Sequence, residues 1–531
     1  MRSKPIKSYR LLTSLVVVLA MAGADAQAAS PVPRLVVSIM IDQLRSDYLD
    51  AFAPLYGERG FKRLMKDGHA FLHAEYPFSD PDRASAVACL YSGTSPYDNG
   101  VVGEAWMDRQ TLRPVYCVDD KAFPGNLTTE ASSPVHLAVS TLPDELKVAT
   151  GGKGLVYAVS PYRDAAVLSA GHAADGAFWI NDLTGQWCST SYYGVYPQWA
   201  VNYDRYNALG KRISDIVWEP FNDLVGNFNY FVSGGMKEPF KHSYGGNRKF
   251  RAFKASASVN EEVTRFATYC VNNTTLGMDG VTDLLALTYY AGNFEHYPVS
   301  EFPIEQQDTY VRLDSELGNL MDALEKRVGE GQVLFVVTST GCADEEVADL
   351  SKYRIPTGTF SINKASALLN MFLMAIYGPG SYVETVYENQ LFLNHKLIED
   401  KQLNYTEVLE RSQDFLVRMS GVKDVYTSQR LALGAWTPGI SRLRNSYNPK
   451  CSGDILVEVA SGWKLINEET NQQQLVRSSY IGFPLFFFGC NVVAQTVKTP
   501  VTVDCVAPTV AQMIRIRAPN ACSVAPLTGI N

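Results

Sequence analysis

The residues able to do chemistry in this 531-residue chain are few and lie far apart. Asp42 closes the apolar run RLVVSIMID (34–42), and His296 follows the run DLLALTYY (283–290). Asp344, Glu345 and Glu346 come after QVLFVVTST (332–340), in CADEEVADL (342–350). Carboxylates and a histidine are what a divalent metal wants, and zinc takes three or four such donors. A single-metal site built from Asp42, Asp344 and His296 is one reading; an exposed acidic turn opening a helix is the plainer one for the 344–346 run. A second group sits in YPFSDPDRAS (76–85), with Asp82, Arg83 and Ser85 close together. Ser79 and Ser85 have no evident His or Lys partner, and a serine without a base is a poor nucleophile. Helix-start chemistry accounts for the same residues: Asp80 as N-cap, Pro81 at the first helical position, Asp82 in the first turn. Asp42 is likewise expected to cap the helix opening QLRSDYL. His69 and His172 are expected to be structural.

The elements that must position these residues are short apolar, β-branched runs alternating with helical patterns. Besides the runs above, GLVYAVS (154–160) and PLFFFG (484–489) read as buried strands, and DTYVRLDSELGNLMDALEKRVGEG (308–331) as an amphipathic helix ending at Gly. Buried strands separated by helices predict a mostly parallel sheet covered on both faces. In such folds the site lies at the carboxyl ends of the strands, which is where Asp42 stands. The stretch 176–270 is rich in Tyr, Trp, Asn and Gly and is expected to form a small inserted cap; 379–430 reads as helical. Trp179, Trp187, Tyr192, Tyr193, Tyr196 and Trp199 are expected to pack this cap onto the sheet.

At 46% hydrophobic and 19% charged, the chain can bury a large core, and a net charge of −8 gives no nucleic-acid surface. The first residues form a leader: Arg2, Lys4, Lys7 and Arg10 precede the apolar Leu11 to Gly23, with A-x-A sites after it and cleavage expected after Ala26. That run is too short to span a bilayer, and no later run of 18 apolar residues occurs, so an exported chain without a transmembrane segment is expected, periplasmic or at the cell surface. Nine cysteines without a C-x-x-C do not make a disulfide scaffold. Buried thiols are expected, with Cys505 and Cys522 a candidate pair.

Six blocks, RLVVSIMIDQLRSDYL, YSGTSPYDNGVVGEAWMDR, VLSAGHAADGAFWINDLTGQW, DTYVRLDSELGNLMDAL, NPKCSGDILVEVASGW and VAPTVAQMI, together resemble the alkaline phosphatase superfamily. The branch they resemble holds exported bacterial phosphatases with type I phosphodiesterases and nucleotide pyrophosphatases. The resemblance runs from about residue 33 to 526 and implies an α/β/α sandwich. It also implies a two-zinc site that activates a Thr or Ser nucleophile. Two dications about 4 Å apart repel by roughly 17 kcal/mol at an effective dielectric of ~20, so the family's ligand set must be rich in carboxylates.

This chain departs from that set. Asp42 matches the first ligand. Counting back from Ser92-Gly93 puts Arg83 at the nucleophile, with Asp82 or Asp80 after a small shift. The remaining ligand positions fall on Tyr290, Phe294, Thr340, Gly341 and Gly482. The phosphate contacts fall on Glu104, Tyr162 and Asp164, none of which attracts an anion. The resemblance with these replacements implies a family fold that has lost the two-zinc site: a catalytically inactive binding or scaffold component of the envelope, without cofactor, whose partner is an envelope protein or a glycan. The alternative is a zinc-dependent phosphoric ester hydrolase with relocated ligands. A non-metal hydrolase using Ser85 is a third reading. An Arg83 guanidinium in the space of the zincs, paired with Asp42, is the sharper expectation, since an unpaired buried carboxylate is costly.

Overall fold

The strand at the centre, β1 (Leu35–Asp42), is buried at every position. Its residues Leu35, Val37, Ile39 and Ile41 enter one core and Val36 and Met40 enter another. A strand apolar on both sides must lie inside a sheet covered on both faces, as the alternation of apolar runs and helical patterns predicts. The computed structural model describes residues 31–226, 239–344, 354, 356–434, 437–475 and 481–530.

The other principal strands are β2 (His69–Glu75), β3 (Val156–Val159), β4 (Gly176–Ile180), β5 (Trp187–Thr190), β6 (Asp283–Tyr290) and β7 (Val333–Ser339). Strands β8 (Val383–Tyr387), β9 (Gln390–Leu393), β10 (Val422–Thr427) and β11 (Ile455–Val459) belong to a separate sheet, and β12 (Phe483–Gly489) returns to the central one. The central order runs β2-β12-β7-β1-β6-β3-β4-β5, with further short strands at both ends. β7, β1, β6, β3 and β4 are mutually parallel; β12 and β5 are antiparallel to their neighbours. Helices cover both faces. On one are α1 (Arg83–Ser92) and α2 (Arg163–Ala170); on the other are α4 (Ser258–Asn273) and α5 (Pro303–Val328), with the short α3 (Lys249–Lys254) just before α4. The fold is the expected three-layer sandwich.

The additions to the sandwich differ from expectation in two places. Of the 176–270 stretch, β4 and β5 are strands of the central sheet and α4 packs on it. Two of its tryptophans are core: the Trp187 ring stacks on Phe266 at 4.1 Å, and Trp179 and Trp187 are buried, while Tyr196 and Trp199 pack half-buried against the same core. A distinct small core lies instead in 359–475, where β8-β9-β11-β10 carry α6 (Ile362–Tyr377) and α7 (Tyr405–Leu416) around Leu369, Leu373, Val408 and Val457. The 379–430 segment is therefore mixed, with three strands in it; these are short and lack the long apolar runs by which the central strands are read.

All nine cysteines are free thiols, so the Cys505–Cys522 pairing is not formed. Cys505 Sγ instead reaches the Thr502 carbonyl at 2.6 Å. The leader, residues 1–30, lies outside the described residues. Among the described residues no helix is long and apolar enough to cross a membrane.

Candidate functional site

Three parallel strands end at one level. Asp42 of β1 is in register with Tyr290 of β6, and Ile41 with Ser339 of β7, so Thr340 and Gly341 begin the next loop beside Asp42. Gly482 opens β12 nearby, its carbonyl accepting the Ser46 amide at 2.9 Å. Hence the ligand positions implied by the resemblance do converge, although their side chains do not fit a two-zinc centre. Tyr290 donates its hydroxyl to the Asn293 carbonyl at 2.6 Å. Phe294 packs against the His242 ring at 4.4 Å. Thr340 donates its hydroxyl to Asp42 Oδ1 at 2.9 Å, and Gly341 and Gly482 bring no side chain.

Arg83 occupies the middle. It is the first residue of α1, set there by Asp82, which is the N-cap: Asp82 Oδ1 accepts from the Ser85 amide at 2.9 Å and the Ser85 hydroxyl at 2.7 Å. The cap is thus Asp82 and not Asp80, whose φ of 50° places it in the left-handed turn before the helix. Ser85 is held in this capping box, and among the described residues its hydroxyl bonds Asp82 and no His or Lys. Asp82 Oδ2 also takes the Glu104 amide at 2.5 Å, which fixes Glu104 beside Arg83.

From this position the Arg83 guanidinium meets three carboxylates. It forks onto Asp164 through Nε at 2.9 Å and Nη2 at 3.2 Å, meets Glu104 at 2.7 Å, and reaches Asp42 Oδ2 at 3.4 Å. The face of Tyr162 lies 3.9 Å from it. Asp164 and Asp42 are buried, and the Arg83 side chain is only 13% exposed. The expected Asp42–Arg83 pair is present. Asp42 does not cap a helix: Gln43 turns at φ 64° and the next helix starts at Ser46, with no side-chain cap.

Charge and burial compete here. Burial raises the Asp42 carboxyl above its ordinary range, against the pull of Arg83 and the Thr340 hydroxyl. Burial also pushes Glu104 up, to about 8, with Asp164, Asp82 and Asp42 adding to it and Arg83 opposing. On Arg83 itself burial acts against the charge, but Asp164, Glu104 and Asp42 hold its pKa well above the usual value. The result is a cation locked among carboxyl groups, with burial favouring the protonated form of Glu104.

The other sequence candidates divide. His296 Nδ1 and Asp344 Oδ1 are 2.9 Å apart, and Gln43 bonds Asp344 at both ends. Thus the structure brings His296 and Asp344 together near Asp42, yet among the described residues no group of His, Cys, Asp and Glu is arranged to hold a metal. Glu345 and Glu346 lie outside the described residues. His172 is structural, bonded to Asp144 at 2.9 Å and the Leu137 carbonyl at 3.0 Å. His69 is buried in β2. Ser79 faces Ser446.

Sequence reasoning pairs Arg83 with Asp42 and misses its stronger partners, Asp164 and Glu104. A signal for them exists. The resemblance puts Arg83 on a nucleophile position and Asp164 on a cation position, so the two replacements have complementary charges.

The profile of the family described as type I phosphodiesterase / nucleotide pyrophosphatase matches residues 36–481. Alkaline phosphatase PafA of Elizabethkingia meningoseptica is 27% identical over 542 residues, covering 98% of this chain and 98% of the relative. Alkaline phosphatase PhoV of Synechococcus elongatus is 27% identical over 507 residues, covering 92% and 91%. The crystal structure of wild-type PafA matches with a TM-score of 0.81 at 24% identity, over 94% of this chain and 99% of that one.

Proposed function

Because the chain belongs to the type I phosphodiesterase / nucleotide pyrophosphatase family, a fold built for phosphoric ester hydrolysis, we propose that it keeps the family cleft for binding and does not run two-zinc hydrolysis. The observation that carries this reading is the Arg83 cluster. A guanidinium stands 3.4 Å from Asp42, the carboxylate at the first ligand position, and is held there by Asp164 and Glu104. A metal at Asp42 would face that fixed positive charge. The donors a zinc pair needs are replaced around it by a phenol, a phenyl ring, a hydroxyl and two glycines. Function follows the site and not the fold.

The second reading is a phosphoric ester hydrolase, and the named relatives support it better than they support an inactive chain. Its structural support is the His296–Asp344 pair close to Asp42. Zinc would serve this reading through those relocated residues. Assay of the purified, zinc-supplemented protein on phosphate mono- and diesters, beside Asp42→Asn, separates the two. The binding reading predicts no turnover above that of the variant; turnover that Asp42→Asn abolishes would establish the hydrolase.

Export belongs to the same proposal, on the basic start and short apolar run before Ala26. Sequencing the amino terminus of the secreted protein should give Gln27; retention of Met1 would contradict it.

A further inference from the structure

Arg248, Arg251 and Lys254 stand three apart, spaced so that neighbours share a side of the short helix α3 and its cap residue. All three line a cavity of about 550 Å³ that continues to Arg83 and Tyr162. That volume is within the range of small-molecule sites. The charges on this wall do not balance. Asp182 takes Lys254 Nζ at 2.6 Å and Arg251 Nε at 3.0 Å. The Arg248 side chain has no ion-pair or hydrogen-bond partner among the described residues. Three cations therefore meet one carboxylate. Arg163, also in the lining, is already engaged by Asp119 at 2.8 Å and by the Tyr116 ring at 4.4 Å. Glu130 and Glu295 line the cavity as well; Glu130 Oε2 already accepts from Trp179 Nε1 at 3.3 Å and its Oε1 stands 3.8 Å from Arg163, and the remaining carboxylate lone pairs can accept from hydroxyl groups.

We propose that this cavity binds a small hydroxyl-bearing organic anion, with its phosphate or carboxylate against Arg248, Arg251 and Lys254 and its hydroxyls toward Glu130 and Glu295. Guanidinium groups suit either anion because both present paired oxygens to a planar fork. Arg83 also lines the cavity, but its one charge already meets three carboxylates, so the anion is assigned to the α3 cations. This inference rests on the binding reading above and gives it a ligand class.

The test is calorimetric titration of the mature protein at low salt with glucose 6-phosphate, glucuronate, glucose and inorganic phosphate, repeated on the Arg248→Ala/Arg251→Ala variant. Both replaced side chains are at the surface, and an unchanged melting temperature shows that the variant is folded. At least one sugar anion should bind, glucose should not, and the variant should weaken that binding roughly tenfold or more. The preferred sugar anion identifies whether phosphate or carboxylate is the natural group. No binding of either sugar anion at about 10 mM, undiminished affinity in the variant, or inorganic phosphate binding as tightly as the sugar anions would overturn the proposal. Phosphate release is followed in the same samples. Release from bound glucose 6-phosphate would overturn the non-hydrolytic reading and leave the ligand class standing, whereas absent binding would do the reverse.

Discussion

Arg83 and Asp164 form a two-bond fork, Nε to Oδ2 at 2.9 Å and Nη2 to Oδ1 at 3.2 Å, between the first turns of two adjacent helices. The pair ties α1 to α2 across the mouth of the central sheet. It also exchanges the charges of the resemblance: a cation where a nucleophile is implied, a carboxylate where a cation is. One ion pair thereby joins the two positions at which the resemblance implies a nucleophile and a phosphate contact.

Removing Arg83 leaves Asp42 and Asp164 buried without a counter-charge. Arg83→Met should cost about 3–5 kcal/mol in urea unfolding, the scale for breaking a buried pair from one side. The double variant Arg83→Met/Asp164→Asn should recover part of that loss, because it also removes an unpaired charge. A single variant within about 0.5 kcal/mol of the parent would show that the fork carries no stability.

Glu104 gives the site a pH signature. Its folded pKa, about 8, lies above the ordinary 4.5, so the folded state holds the proton more tightly. The associated stability is complete below about 4.5 and is lost as pH rises through about 8. The Glu104 side chain is 40% exposed, which softens the effect. Unfolding measured from pH 5 to 9 should show stability falling toward the alkaline end, and Glu104→Gln should flatten that slope. An identical slope in the variant would assign the dependence elsewhere.

Asp454 predicts the opposite sign. Burial acts to raise its carboxyl, but His395, Arg109 and Tyr405 outweigh it and hold the pKa at about 2. Arg109, in the turn between the short antiparallel strands Ala105–Asp108 and Arg113–Tyr116, forks onto Asp454 of the 359–475 lobe at 3.1 Å, and His395 and Tyr405 reach it at 2.8 and 2.7 Å. Stability from this group is present above the ordinary 3.8 and is lost as pH falls through about 2. Asp454→Asn should cost about 2–3 kcal/mol at pH 7 and shrink the acid-side loss. Hydrogen exchange should quicken in Gln390–Leu393, whose Leu393 amide donates to Asp454 at 2.7 Å.

How much of this was legible follows from what each residue touches. β1 and β6 were readable because every residue is buried, and only an interior strand needs so many apolar residues in a row. The 359–475 lobe was not, because a strand such as VETVY carries its meaning in its partners. Trp187 marked a buried platform under Phe266, and its aromatic neighbourhood looked like a surface cap because composition does not give direction. Asp80 and Asp82 are chemically equal as caps; the turn geometry, with Asp80 at positive φ, chose between them. The Arg83–Asp42 contact followed from charge alone, but the fork to Asp164 needed two segments 81 residues apart to be read as one.

Asp82 and Ser85 provide a check on the serine-hydrolase reading. Asp82→Ala removes the N-cap of α1 and should cost about 1–2 kcal/mol. Ser85→Ala removes the reciprocal half of the capping box and should cost less. If any ester hydrolysis is present in the purified protein, Ser85→Ala should leave it unchanged; its loss in a folded variant would restore Ser85 as a nucleophile.

At the strand ends Arg83 stands among Asp42, Asp164 and Glu104, and the proposed reading is that no two-zinc centre forms there. The most direct test is the metal content of the mature protein, loaded with excess zinc, dialysed without chelator and read by elemental mass spectrometry. The cluster around Arg83 predicts less than one zinc per chain. About two tightly held zincs per chain, lost together in Asp42→Asn, would contradict it and return the chain to the metal-dependent hydrolases.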